Sequence, residues 1–158
     1  MSADTAGHAT EKQQRGAVDS APIRDLRTPV AWGVLWGGLQ AVSPLAFFWL
    51  DPPTVYALGL VLIAAVYIGF SVADGRPKVI AVETGVASLF VVIAAAAVTG
   101  SGWLLVAGLA GHGLKDLWQH RTGFVANTRW WPPFCTAVDF VAATFIAVTI
   151  LADFRVGW

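Results

Sequence analysis

From Val30 onward the chain is a series of apolar runs, each near the roughly 20 residues that cross a bilayer, broken by short turns built from proline, glycine and charge. That pattern constrains the fold more than any motif does. In lipid the backbone must satisfy its own hydrogen bonds, so runs of this length become helices packed on one another. Charged residues make up 13% of the 158 residues and hydrophobic ones 56%, against roughly 25% charged in an average soluble domain. A basic stripe of the kind a nucleic-acid binder needs is absent. Cys135 is the only cysteine, so no intrachain disulfide can form and the redox compartment stays unspecified.

The expected fold is all-α, a transmembrane bundle of five spans near 29–50, 54–73, 79–99, 102–120 and 134–153, preceded by a disordered cytoplasmic tail over 1–28. The tail is polar and mixed and lacks the apolar core of a signal peptide; Ile23 to Arg27 is a weak candidate for a short interfacial helix. The first span carries Gly33 and Gly37, a small-xxx-small pair that lets a neighbouring helix approach, and Pro44, which should kink it or mark its last turn. Asp51-Pro52-Pro53 stops it. Asp74-Gly75-Arg76-Pro77-Lys78 is a short turn, so spans two and three are antiparallel neighbours, and Gly100-Ser101-Gly102 is the next turn. A loop near 121–131, with Asn127, Thr128 and Arg129, leads to Trp130-Trp131-Pro132-Pro133 and the last span. In that span Asp139, Ala143 and Ala147 follow at steps of four, a close-packing face.

Orientation follows from the distribution of positive charge. Lys12, Arg15, Arg24, Arg27, Arg76, Lys78, Lys115, Arg121 and Arg129 fall on one side of a five-span topology and Arg155 alone on the other. The positive-inside rule then places the N-terminus in the cytoplasm and the C-terminus outside, in a multi-pass protein of the cytoplasmic (inner) membrane. Tryptophan prefers the two interfaces. Trp32, Trp118, Trp130 and Trp131 lie at the inner one in this topology, Trp49, Trp103 and Trp158 at the outer one, and Trp36 a turn deeper.

The fourth span is amphipathic in the inverted sense. On a helical wheel Ser101, Leu105, Gly108, His112, Asp116 and Gln119 share a stripe, with Lys115 and His120 at its margins, and Trp103, Val106, Ala110, Leu114, Leu117 and Trp118 opposite. Glu83 in span three and Asp139 in span five sit at the same depth as Lys115 and Asp116, and His112 lies a turn deeper. Ionisable groups inside a bilayer are costly and mark functional sites. The candidate solute- or ion-binding residues are therefore His112, Asp116, Lys115, Asp139, Glu83 and Gln119. A metal set of His112, Asp116 and His120 is a further candidate at i, i+4, i+8. Cys135 reads as a small apolar packer. Lys115 pairing with Glu83 or Asp139 purely to hold helices together is the structural alternative, as are His120 and a snorkelling Arg121 among the headgroups.

Two likenesses accompany these residues. Five spans, this length and many tryptophans are similar in architecture to the tryptophan-rich sensory protein (translocator protein) family, which binds porphyrins and sterols. The similarity stops there: the Pro-Pro-flanked aromatic stretch of that family lies in an early loop, whereas Trp130-Trp131-Pro132-Pro133 precedes the last span, and the orientation differs. The segment His112-x3-Asp116-x3-His120-Arg121, followed by Pro133-Phe134-Cys135-x3-Asp139, resembles a group of small polytopic prokaryotic membrane proteins over the last third of the chain. That resemblance implies no activity but points to the same residues.

The expected function is binding or translocation of a small solute, ion or proton. The alternatives are a membrane-embedded enzyme using His/Asp acid–base or metal chemistry and an accessory subunit of a membrane complex, and the sequence leaves enzyme status open. It specifies no cofactor. The expected partners are the lipid bilayer, the small solute, ion or proton itself, and further copies of the chain in a candidate homo-oligomer; nucleic acid is excluded.

Overall fold

A computed structural model describes residues 25–126 and 128–152. Most of the expected tail, the start of the candidate interfacial helix, Asn127, Asp153, Arg155 and Trp158 lie outside the described residues. The described chain is all-helical: α1 (Arg27–Val42), a 3-10 turn (Ser43–Leu45), α2 (Pro52–Asp74), α3 (Pro77–Thr99), α4 (Gly102–Thr122) and α5 (Trp131–Leu151). Three of these, α2, α3 and α5, are long and apolar enough to cross a membrane, with mean hydropathies of 2.3, 2.2 and 2.1.

Local chemistry sets the helix ends. The Asp51 carboxylate accepts from the Thr54 backbone N–H at 2.9 Å and from its hydroxyl at 2.9 Å, capping α2, and Pro52-Pro53 fills the first turn, where no N–H is needed. Those two bonds hold the Asp51 carboxyl below its usual range. Gly75, at φ 77°, closes α2 in the left-handed conformation that other residues avoid. Pro77 opens α3. Ser101 caps α4 by accepting from the Trp103 N–H, and Gly123, at φ 57°, ends it.

The first helix is shorter than the expected run over 29–50. It stops at Val42, the 3-10 turn contains Pro44, and residues 46–50 are not helical. Proline removes a helix hydrogen bond and collides with the preceding turn, so Phe47, Phe48 and Trp49 form an edge-to-face aromatic cap instead of another turn. A helix of 16 residues covers about 24 Å at ~1.5 Å per residue.

Packing fixes the directions of the helices. Gly33 of α1 lies against Phe134 and Ala137 of α5, and Gly37 against Val138 and Val141, so α1 and α5 run parallel. A Cβ at Gly37 would stand 2.8 Å from the Val141 Cβ and 2.9 Å from the Val138 carbonyl oxygen. The small-xxx-small pair is therefore where α1 docks. Helix α4 is central and touches α2, α3 and α5. At Gly108 it meets Leu60 of α2 and Ile93 of α3. The core joins Tyr56, Leu60 and Ala64 to Phe90 and Ala94, to Leu105 and Leu109, and to Ala142, Ala143 and Ile146. Large apolar side chains such as Leu62, Val92, Leu114 and Val148 cover the outside.

Gly37→Leu should wedge α1 off α5 and lower stability by about 1–3 kcal/mol, the usual cost of overpacking. Gly38→Ala, with open space around the new methyl, should leave stability unchanged or raise it by up to ~1 kcal/mol through helix propensity. Denaturant unfolding in detergent, followed by circular dichroism, measures both. Equal destabilisation by the two variants would remove the role given to Gly37.

Candidate functional site: a buried histidine–carboxylate cluster

The inverted amphipathic stripe of α4 is the inward face. Leu105, Gly108, Leu109, His112, Gly113, Asp116 and Gln119 are buried, whereas Leu114 and Trp118 are exposed. Gly113 allows the approach of α5 at the same level. A Cβ there would stand 3.3 Å from the Asp139 Cβ, and Thr136 donates its hydroxyl hydrogen bond to the Gly113 carbonyl at 3.4 Å. The close crossing brings Asp139 against His112.

Four helices contribute at nearly one level. Glu83 lies six residues from the start of α3, Asp116 six from the end of α4, Tyr67 seven from the end of α2 and Asp139 eight from the start of α5. At ~1.5 Å per residue these depths are about 9–12 Å from one end of the bundle. That end, the basic end, also carries Arg76, Lys78, Arg121 and Arg129.

The cluster divides into two parts. In the first, the Lys115 ammonium donates to Glu83 Oε2 at 2.7 Å and sits over the Tyr67 ring, 3.2 Å from its centroid. This pair is self-neutral and links α3 to α4. In the second, His112 Nδ1 lies 2.8 Å from Asp139 Oδ2 and 3.4 Å from Asp116 Oδ2. Only the shorter contact, between His112 Nδ1 and Asp139 Oδ2, is a hydrogen bond. The rings of Phe90 and Tyr67 close around the imidazole at 5.0 and 5.9 Å. One ligand-type atom each from His112, Asp116 and Asp139 lie within 4.8 Å of one another, and these side chains are at most 1% exposed.

This second part is under-satisfied. Both Asp116 oxygens, Asp139 Oδ1 and both amide atoms of Gln119 are buried without a hydrogen-bond partner, as is Glu83 Oε1 beside the lysine pair. The buried Tyr67 hydroxyl also lacks a hydrogen-bond partner. Native interiors leave few such atoms, because each costs about 1–3 kcal/mol and more when charged. Here they are concentrated around one histidine.

All six candidate binding residues are buried or nearly so, and they fall into contact as Lys115 with Glu83 and His112 with Asp116 and Asp139. Gln119 sits one turn beyond Asp116 on the same face. His120 is half-buried, and the converging trio contains Asp139 in its place. Arg121 is exposed, and Cys135 is buried as expected of a packer. Sequence reasoning passed over Tyr67. Its signal was an aromatic hydroxyl on an otherwise apolar helix, at the depth of the charges.

A clasp that the sequence did not reveal covers the basic end. The Asp74 carboxylate accepts from Arg76 Nε at 2.6 Å and Nη2 at 2.7 Å, and from the Ala126 backbone N–H at 2.7 Å. Arg76 Nη2 also donates to the Phe124 carbonyl at 2.7 Å. The α2–α3 turn thus grips the α4–α5 loop, whose Val125 is 1% exposed. Beside it, Phe70, Trp130, Trp131 and Phe134 form an aromatic wall with centroid separations of 5.0–6.4 Å.

Comparison with known proteins adds no constraint: no family model, no curated protein and no solved structure matches this chain.

Lys115→Met leaves a buried Glu83 carboxylate alone and should destabilise by about 3–5 kcal/mol. Adding Glu83→Gln should recover most of the loss, because a buried pair adds little beyond mutual compensation. A double variant as unstable as the lysine variant would show that the pair is not self-contained. Arg76→Ala should open the clasp, read as faster amide exchange at residues 124–126 with the core unchanged; unaltered exchange there would show that Arg76 does not hold the loop.

Proposed function

We propose that this chain is a five-span protein of the cytoplasmic membrane, N-terminus inside, that binds or translocates a small cation at His112, Asp116 and Asp139 in the cytoplasmic half of the bundle. The observation that carries this reading is the charge imbalance of the cluster. Three buried carboxylates face one ammonium, and that ammonium is engaged by Glu83. Asp116 and Asp139 are left with a single imidazole. Uncompensated charge in a low-dielectric interior is costly, and a bound cation, the proton included, relieves it.

Further features support the topology. Arg76, Lys78, Arg121 and Arg129 share one end of the helices, which the positive-inside rule assigns to the cytoplasm. Helix α4 turns its polar face inward and Leu104, Leu114 and Trp118 outward, as a span must. Its 21 residues equal the length of α5 and fall two short of α2 and α3. An accessory role, in which the polar groups only join helices, accounts for Lys115–Glu83 but leaves the Asp116 carboxylate without a reason. An enzyme would place its substrate beside the His112–Asp139 pair. A pocket of about 390 Å³, lined by Ala41, Pro44, Leu45, Tyr56 and Phe145, lies away from the cluster.

Reconstitution into liposomes tests the proposal. With imposed cation and proton gradients followed by fluorescent indicators, the wild type should show uptake that Asp116→Asn lowers at least about tenfold, the scale of a lost interaction near 1.4 kcal/mol. Uptake equal in wild type, Asp116→Asn and Asp139→Asn, with all three folded, would sink it. For orientation, an N-terminal tag should be protected from external protease in intact spheroplasts and a C-terminal tag cleaved; the reverse pattern would overturn the assignment.

A further inference from the structure

Resting on the cation site proposed above, we infer that His112, Asp116 and Asp139 form a binding site for a divalent first-row transition metal ion of the Zn²⁺ or Mn²⁺ class. The donor set decides the class. One imidazole nitrogen and two carboxylates are borderline-to-hard ligands. They lack the thiolates and thioethers that favour Cu(I), and they are too few for Ca²⁺, which takes about 6–8 oxygens. With His112 neutral, as a ligand must be, the two carboxylates balance a double positive charge.

The geometry is close to what such an ion requires. Two ligand atoms at ~2.1 Å from a tetrahedral metal stand about 3.4 Å apart. His112 Nδ1 is 3.4 Å from Asp116 Oδ2 and 2.8 Å from Asp139 Oδ2. A shift of about 0.6 Å between α4 and α5 opens the shorter distance to the tetrahedral value, and the three ligand-type atoms all lie within 4.8 Å of one another. Independently of the trio's spacing, both Asp116 oxygens and Asp139 Oδ1 are fully buried without hydrogen-bond partners. Gln119, 0% exposed with both amide atoms unpartnered, supplies a neutral donor on the same face of α4. Lys115 is drawn off by Glu83 and Tyr67 and does not occupy the trio as a competing cation. His120, two turns from His112 along α4, is outside the set, and Asp139 takes the place that spacing alone had offered it.

The test uses the full chain in detergent, stripped with a chelator and titrated with Zn²⁺, Mn²⁺ and Ca²⁺ by calorimetry, with the metal retained after desalting counted by elemental analysis. One Zn²⁺ or Mn²⁺ per chain should remain, and Ca²⁺ should not compete. His112→Ala and Asp139→Asn should each weaken binding beyond the roughly 10–100-fold typical of losing a mere supporting residue. Because either variant can misfold, Co²⁺ is added to the wild type. Visible d–d bands of a four- or five-coordinate nitrogen/oxygen site, abolished by excess Zn²⁺, are expected. Zn²⁺ and Mn²⁺ both failing to bind the wild type, or binding equally well to both folded variants, would overturn the inference. If metal binding fails while Asp116-dependent proton uptake into liposomes persists, the metal is wrong and the cation reading stands. If both fail, both are wrong.

Discussion

Burying a carboxylate away from water is the constraint on which this structure depends. An isolated charge in a low-dielectric interior costs several kcal/mol even after relaxation, and Glu83, Asp116 and Asp139 are all at most 1% exposed. The protein compensates them unequally. Glu83 has an ammonium at 2.7 Å, and Asp139 has an imidazole at 2.8 Å. Asp116 has the same imidazole at 3.4 Å with no hydrogen bond. A bundle selected only for stability would place leucine or alanine there, since replacing buried polar groups by well-packed apolar ones is often neutral or favourable.

The helix packing makes the compensation possible. Helix α4 carries the polar stripe and needs neighbours on three sides, and small residues admit them. Gly108 admits Leu60 of α2 and Ile93 of α3, and Gly113 admits Asp139 of α5. The four helices that meet at the cluster are therefore held by contacts within a turn or two of it. Helix α1 stands apart from this arrangement. It docks through Gly33 and Gly37 on a face of α5 and contributes no group to the cluster.

Much of this was legible in the sequence because helical period and depth are properties of one chain segment. The α4 stripe named Ser101, Leu105, Gly108, His112, Asp116 and Gln119, and all but Ser101, exposed at the N-cap, are buried. The shared depth of Glu83, Lys115, Asp116 and Asp139 followed from counting residues from the turns. Partner choice was not legible. Spacing along α4 gives Lys115 two acceptors and gives His112 either Asp139 or His120 as company, and only the rotation of neighbouring helices chooses between them. Tyr67 escaped notice because no charge marks it. The Asp74–Arg76 clasp escaped because it joins segments about fifty residues apart through backbone groups that no side-chain pattern encodes. The end of α1 at Val42 turned on how completely Pro44 breaks the run, a matter the apolar composition of 45–50 obscured.

The choice made by Lys115 sets the character of the site. Lys115 lies one residue from Asp116 along α4, and pairing with Asp116 or Asp139 would cut the charge deficit of the His112 trio by one. Glu83 and the Tyr67 ring prevent that. The carboxylate supplies a charge-assisted bond at 2.7 Å and the ring face a cation–π contact at 3.2 Å, together a better berth than a trio already sharing an imidazole. Glu83 therefore acts at a distance: by holding the lysine on the α3 side it keeps Asp116 and Asp139 in deficit. Lys115 is also the most exposed charged side chain of the cluster, at 12% against at most 1% for the others, so the one fixed positive charge stands toward the rim and the uncompensated negative charge lies inside it. The same carboxylate count arranged around a centrally placed lysine would be a structural salt-bridge network. Arranged with the lysine at the edge, it leaves both Asp116 oxygens and Asp139 Oδ1 buried without hydrogen-bond partners.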